Sequence, residues 1–175
     1  DYHIIHGIKT RLQNTIRCVR EIPINVEEVV FSPIAAAQVM LKREHKDRGS
    51  LLIDIGGGVT DYVMYTGGSV AQSGCIGVGG DHITNDISVV MKIPLTRSEK
   101  LKIEHGSALV EDDGGDSIFL EDGPLTSGLE IDKELLNQII NARATEIFEQ
   151  LKYRITKHDD LDTLGAGGFL TGGGS

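Results

Sequence analysis

Leu51-Leu52-Ile53-Asp54-Ile55-Gly56-Gly57-Gly58-Val59-Thr60-Asp61 is the stretch that decides the fold. Its apolar run fits a buried strand, three glycines interrupt it, and residues 59–65 read as a second strand. Glycine-rich turns after strands cradle phosphate because, with no Cβ in the way, backbone N–H groups reach the anion. Three forms of such a turn can be compared. A P-loop ends in Gly-Lys-Ser/Thr, and this chain has no such ending. A dinucleotide fingerprint needs GxGxxG; Gly77-Val78-Gly79 meets His82 where the last glycine belongs, and Gly165-Ala166-Gly167 meets Leu170. The third form is strand, Asp-x-Gly-Gly-Gly-x-Thr-Asp, strand, in which phosphate meets a hairpin instead of a helix N-terminus. Gly56, Gly57 and Gly58 then offer N–H groups to terminal phosphate oxygens. Asp54, at the strand's end, would hold Mg²⁺ through its waters, since Mg²⁺ dehydrates reluctantly. A plain glycine-rich hairpin is the competing reading. Asp54 before the turn, Thr60-Asp61 after it and two further glycine motifs downstream favour phosphate.

Working outward toward the N-terminus, residues 1–8 alternate like a strand. Residues 9–21 predict a helix with Leu12, Ile16 and Val19 on one face, ended by Pro23 and Asn25. Residues 26–31 predict a Val-rich strand, Ser32-Pro33 opens a helix whose Ala35-Ala36-Ala37 run allows close packing, and residues 42–50 read as a charged loop. On the other side, Gly67-Gly68 predicts a hairpin turn into a strand over 69–76. Gly77-Val78-Gly79-Gly80 leads into a helix capped by Asp81, with Ile83, Ile87, Val90 and Met91 on one face and Pro94 as its stop. Thr96-Arg97-Ser98-Glu99 has the form of a capping box opening another helix. Residues 106–132 predict an acidic strand-and-turn segment. Its Glu111-Asp112-Asp113-Gly114-Gly115-Asp116 run lacks EF-hand order and reads as a solvated loop. Residues 132–157 form the longest predicted helix, with Ile140, Ala144, Ile147, Phe148, Leu151 and Ile155 in register. A short strand over 164–171 precedes Gly172-Gly173-Gly174-Ser175.

The 175 residues suffice for one domain or two small ones. A net charge of −9 argues against non-specific binding to nucleic acid or anionic membranes, though not against a nucleotide held by backbone N–H groups and one cation. Cys18 and Cys75, far apart in apolar surroundings, read as buried, reduced thiols. No apolar run approaches the roughly 20 residues that cross a bilayer, and no signal peptide opens the chain. With no initiator Met and a final Gly-Gly-Gly-Ser that stops in mid-motif, the sequence reads as part of a larger chain.

Residues 51–68 resemble the second phosphate motif of the actin/Hsp70/sugar-kinase ATPase fold, and within that group they resemble the FtsA family of bacterial cell-division actin homologues. The likeness runs through Gln13-Asn14 with Cys18-Val19, Pro33-Ile34-Ala35-Ala36-Ala37, Tyr65-Thr66-Gly67-Gly68 and Ile76-Gly77-Val78-Gly79-Gly80. It continues through Ile83-Thr84-Asn85-Asp86-Ile87, Lys102-Ile103-Glu104-His105-Gly106-Ser107-Ala108 and Leu170-Thr171-Gly172-Gly173-Gly174-Ser175, in the family's order.

The resemblance implies an α/β, actin-like ATPase (ribonuclease H-like) fold, a mixed sheet with flanking helices, as a partial chain lacking the N-terminal phosphate-1 region. It implies that residues 1–49 end the first lobe and that 50–95 are the second-lobe core with the phosphate-2 hairpin. Residues 96–141 would be a small upper insertion, and 142–175 would return to the core and end in the adenosine motif. Gly172, Gly173 and Gly174 would lie by the base and ribose, Gly79 and Gly80 would open the helix lining the cleft, and Thr60 would join Gly56, Gly57 and Gly58 at the phosphates. Glu99 and Lys102 match the Glu-x-x-Lys of the related actin MreB and would reach ribose or adenine. Glu99 is equally the third residue of the Thr96 capping box, and Lys102 equally a solvated helix residue. Relatives often carry Glu where this chain has Ser32, and MreB-like chains carry Thr where it has Val59, which implies ATP and Mg²⁺ binding with weak or no hydrolysis.

As partners the resemblance implies the C-terminal peptide of the tubulin-like FtsZ, other division proteins and self-association into actin-like filaments. It implies no nucleic acid, and a membrane only through a C-terminal amphipathic helix that this chain lacks. The protein would be cytoplasmic, peripheral at the inner face of the membrane at the division site. A pilus-assembly (PilM-like) actin homologue, an Hsp70-like chaperone or a small-molecule kinase are the alternatives on the same fold.

Overall fold

In the computed structural model, residues 2–110, 116–120, 128–156 and 161–174 are described. The helices are α1 (Lys9–Arg20), α2 (Ser32–Met40), α3 (Arg43–Arg48), α4 (Gly80–Met91), α5 (Leu95–His105) and α6 (Lys133–Thr156). The strands are β1 (Ser50–Ile55), β2 (Thr60–Thr66), β3 (Ser69–Ile76), β4 (Ser117–Leu120), β5 (Leu129–Asp132) and β6 (Gly168–Thr171). The chain divides into two compact units. The first is Asp1–Ile53, Asp61–Gly74 and Asp162–Phe169; the second is Asp54–Thr60, Cys75–Leu161 and Leu170–Ser175.

The first unit is built on a four-stranded sheet of order β3-β2-β1-β6. β1 is buried on both faces along most of its length, as its uninterrupted apolar run requires. Gly67 (φ 58°) and Gly68 (φ 79°) both take the left-handed conformation of a two-residue hairpin, whose twist suits the flanking strands. Ala37 and Leu41 bury against Leu52, Val63 and Tyr65, with Ile34, Ala36, Val70 and Phe169 around them. Ala37 is fully buried, which its lack of bulk permits. Burial also raises the Tyr65 phenol pKa, because the ring's apolar surroundings penalise the phenolate.

Four expectations fail in this unit. Residues 2–8 form no strand, and Tyr2 and Ile4 are 97% and 80% exposed. Alternation selects a strand only where a neighbour supplies the ladder; here a side-chain bond, His3 Nε2 to Ser73 Oγ at 2.8 Å, reaches the sheet without one. Residues 26–31 are likewise irregular, with Val29 and Val30 each half-exposed, since β-propensity reflects packing more than backbone preference. The charged segment 42–50 is not a loop but contains α3, because Arg, Glu and Lys favour helix and no glycine intervenes before Gly49. An Arg43–Asp47 contact of 3.8 Å lies along it. Cys18 is free but exposed, on a helix without buried residues, and Leu12 of that helix is 43% exposed. Cys75, in the second unit, is also free and exposed.

The second unit has its own core of Ile83, Ile87, Ile93, Leu101, Ile131, Leu136 and Ile140. α4 ends at Met91, where Lys92 turns left-handed (φ 55°), three residues before the expected stop at Pro94. β4 and β5 pair antiparallel with Ser117 opposite Asp132 and Ile118 opposite Ile131. Most of the acidic run (residues 111–115) lies outside the described residues. Asp132 caps α6: its Oδ1 accepts the N–H groups of Glu134 (2.9 Å) and Leu135 (3.3 Å). Along α6, Leu136, Ile140, Ile147, Leu151 and Ile155 are buried, whereas Phe148 is 41% exposed. Buried Asn137 accepts the Ser107 N–H at 2.9 Å.

α6 is fastened to α4 by a fork. Arg143 donates through Nε (2.6 Å) and Nη2 (3.0 Å) to the two oxygens of Asp86, and its Nη1 meets Glu146. Those bonds raise the Arg143 pKa further, with Asp86 the main cause. Both partners are about three-quarters buried, between the exposed and fully buried cases. Asp86→Ala should therefore cost about 2 kcal/mol in urea denaturation, and a cost below about 0.5 kcal/mol would show the fork to be ornamental.

Candidate functional site

The glycine turn is held from behind by the start of α4. The N–H of Gly80 donates to Gly56 O and that of Asp81 to Gly57 O, each at 2.9 Å. In a trans peptide the C=O and the following N–H point in opposite directions. Fixing the carbonyls of Gly56 and Gly57 toward α4 therefore directs the N–H groups of Gly57 and Gly58 away from it. The first turn of α4 has unpaired donors and the positive end of the helix dipole, so it is a natural holder for carbonyls. Gly56 itself closes the turn, its N–H donating to Val59 O at 2.9 Å.

The approach is close because Gly79 has no side chain. A Cβ there would lie 2.4 Å from Gly56 O and 2.5 Å from Gly57 O. Gly79 N–H donates to His82 Nδ1 at 3.1 Å, so Gly79 is the N-cap residue of α4. Asp81, expected to cap it, is instead a first-turn residue whose carboxylate sits about 3.0 Å from where a Gly57 Cβ would be. The terminal glycines reach the same turn: Gly174 N–H donates to Ile55 O at 2.8 Å. Gly172 (φ 100°) passes so near that a Cβ would stand 2.3 Å from Ile55 O and 2.5 Å from Asp54 Oδ1. Gly58 and Gly173, in contrast, face open space.

Thr60 is fully buried and donates its hydroxyl proton to Val78 O at 2.8 Å, tying β2 to the segment before α4. Glu99 and Lys102 are brought together beside Gly80. Lys102 Nζ lies 2.7 Å from Glu99 Oε2, 2.8 Å from Thr84 Oγ1 and 3.2 Å from Gly80 O. α5 starts at Leu95, directly after Pro94, with no side-chain cap; Thr96 lies inside the helix and the expected capping box does not form. Glu99 is thereby free to meet Lys102 and Thr84, whose hydrogen bonds hold its carboxyl below the usual range. Thr84, quoted within the family motif, was given no role from the sequence. The available signal was its place four residues after Gly80, on the same face of α4.

The three glycine motifs and the Glu99–Lys102 pair thus meet within the second unit. Backbones this close leave room only for glycine, and the outward N–H groups and open faces of Gly58 and Gly173 suit an oxyanion. Among the described residues no group of three His, Cys, Asp or Glu could hold a metal. Asp54, at the end of β1 with its Oδ1 beside Gly172, would hold a Mg²⁺ that keeps several of its waters.

The fold is that of the actin-like proteins. MreB5 of Spiroplasma citri, in a structure bound to ADP, superposes with a TM-score of 0.78 at 21% identity over 96% of this chain and 55% of that one. The PilM-PilN type IV pilus biogenesis complex gives a TM-score of 0.63 at 18% identity, over 94% of this chain and 41% of that one. Residues 51–164 match the family described as cell division protein FtsA, and the chain belongs to that family. The cell division protein FtsA of Neisseria meningitidis serogroup B is 34% identical over 98% of this chain. The chain spans about two fifths of the length of that relative (42%). No helix among the described residues is long and apolar enough to cross a membrane.

Proposed function

We propose that this chain is the phosphate- and adenosine-gripping part of an ATP-binding cell-division protein that polymerises and tethers FtsZ to the membrane, with weak or no ATP hydrolysis. The observation that carries the ATP reading is the docking of α4 on the carbonyls of Gly56 and Gly57, which turns two N–H groups outward. In this reading Gly57 and Gly58 take the terminal phosphates, Asp54 holds Mg²⁺ through water, and Gly172, Gly173 and Gly174 line the adenosine with Glu99 and Lys102. Gly56, Gly79, Gly80 and Thr60 shape the site by holding that turn. The ADP-bound relative of the same fold supports a nucleotide as ligand. Family membership supports division proteins and filaments as partners, with the FtsZ C-terminal peptide received by residues 96–141, and a place at the inner face of the division-site membrane. The remaining assignment is that 1–49 ends the first lobe while 50–95 and 142–175 form the second-lobe core.

The weak-hydrolysis part rests on two positions. Val59, 47% exposed at the turn, carries no hydroxyl, and Ser32, the first residue of α2, carries no carboxylate. Valine can neither bind nor deprotonate an attacking water, and a serine hydroxyl is far too weak a base to replace a carboxylate. The full-length gene product, given ATP and Mg²⁺, should bind nucleotide yet release phosphate well below 1 per minute (on the order of the slowest intrinsic NTPases). Release at several per second would sink the weak-hydrolysis reading; absence of ATP binding would sink the nucleotide site.

A further inference from the structure

Thr84 sits at the centre of the Glu99–Lys102 arrangement. It is 6% exposed, and its Oγ1 lies 2.8 Å from Lys102 Nζ, 3.2 Å from Gly80 O and in short contact with Glu99 Oε2. A hydroxyl has one proton and two lone pairs, and an ammonium has only protons. Lys102 must therefore donate to Thr84 Oγ1, and the Thr84 proton goes to the nearer acceptor, the Glu99 carboxylate. The three ammonium protons meet three protein acceptors, Glu99 Oε2, Thr84 Oγ1 and Gly80 O. Lys102 is thus satisfied inside the protein. Glu99 is not: both of its bonds fall on Oε2, and its side chain is 45% exposed, which leaves Oε1 to accept from outside.

We propose that Thr84 is the positioning residue of the nucleoside end of the site: its hydroxyl couples Lys102 to Glu99 and holds Glu99 Oε1 ready for an O–H or N–H donor of the bound nucleoside. The inference rests on the nucleotide reading above and assigns Lys102 a supporting role behind Glu99. Thr84 acts through Glu99 and not on the phosphates, so it separates nucleoside recognition from phosphate recognition. It also keeps Gly80 O, at the start of α4, within the same network.

The test uses the full-length gene product as wild type, Thr84→Val and Thr84→Ser. Two measurements are made: affinity for ATP and for inorganic triphosphate, and titration of the Glu99 carboxyl by NMR without ligand. Thr84→Val should weaken ATP about tenfold, the worth of one charge-assisted hydrogen bond, and leave inorganic triphosphate unchanged. It should also move the Glu99 carboxyl up toward the ordinary value of about 4.3, because one of the bonds lowering it is gone. Thr84→Ser should restore both. Thr84→Ala removes the hydroxyl without adding bulk and repeats the comparison should valine unfold the chain. Unchanged Glu99 titration, or equal loss of ATP and inorganic triphosphate, would overturn the proposal. If the wild type binds neither ligand, the nucleotide reading falls, and the Glu99 titration alone decides whether Thr84 positions the pair.

Discussion

Gly79→Ala in the full-length gene product is expected to weaken ATP binding by about a hundredfold. The backbone of Gly79 (φ −161°, ψ −163°) is extended and open to any residue, so the penalty is purely steric. The added Cβ would overlap two backbone oxygens, at 2.4 and 2.5 Å, and neither can rotate away as a side chain would. Relief requires α4 to withdraw from the turn, stretching the Gly80 and Asp81 hydrogen bonds to Gly56 and Gly57. Those two bonds are worth about 1 to 1.5 kcal/mol each, and together about a hundredfold in affinity. Once they loosen, the Gly57 and Gly58 peptides are free to rotate and their N–H groups no longer converge. Gly58→Ala makes the contrast: its Cβ meets no protein atom, so Tm should hold while the methyl group intrudes on the ligand. Isothermal titration with ATP reads the first effect, and affinity within threefold of wild type for Gly79→Ala would remove α4 from the account.

Gly49→Ala is expected to cost the fold at least about 3 kcal/mol. Gly49 follows α3 and enters β1 with φ 87° and ψ 122°, a conformation from which a Cβ is excluded at a cost of about 1–3 kcal/mol. The new Cβ would also stand 1.8 Å from Thr163 O and 2.9 Å from Thr163 C. That backbone cannot simply yield, because Gly165 N–H donates to Arg48 O (3.1 Å) and Ala166 N–H to Gly49 O (2.8 Å). Against a typical total of about 5–15 kcal/mol, such a loss empties much of the folded population at 37 °C. Chemical denaturation of the purified variant measures it. A loss under 1 kcal/mol would mean that the 163–166 segment moves freely, contrary to its bonds.

Much of the sheet was legible before any coordinates. β1, the glycine turn, β2, Gly67-Gly68 and β3 are close in sequence, and each step carries a local signal: an apolar run, glycines where φ is positive, then Val and Tyr on a pleat. Two of the failures share one cause. Residues 2–8 and 26–31 have strand-like side chains but no ladder, and a ladder is a relation to another segment. α3 failed in the opposite sense, since a charged run says only that water is near and leaves helix or loop to propensity.

The site divides along the same line. Sequence alone singled out the glycines and Asp54 as candidates, and Glu99 and Lys102 only through resemblance to a known family. It could not decide whether Glu99 closes a capping box; the start of α5 at Leu95, with Thr96 inside the helix, shows that it does not. Nor could it show that Thr60 is spent on Val78 O, that Gly56 closes its own turn, or that Thr84 joins Glu99 to Lys102. Residue identity states which groups can donate or accept. Only the packing of α4 against the turn states which of them are already engaged, and so which N–H groups remain turned outward.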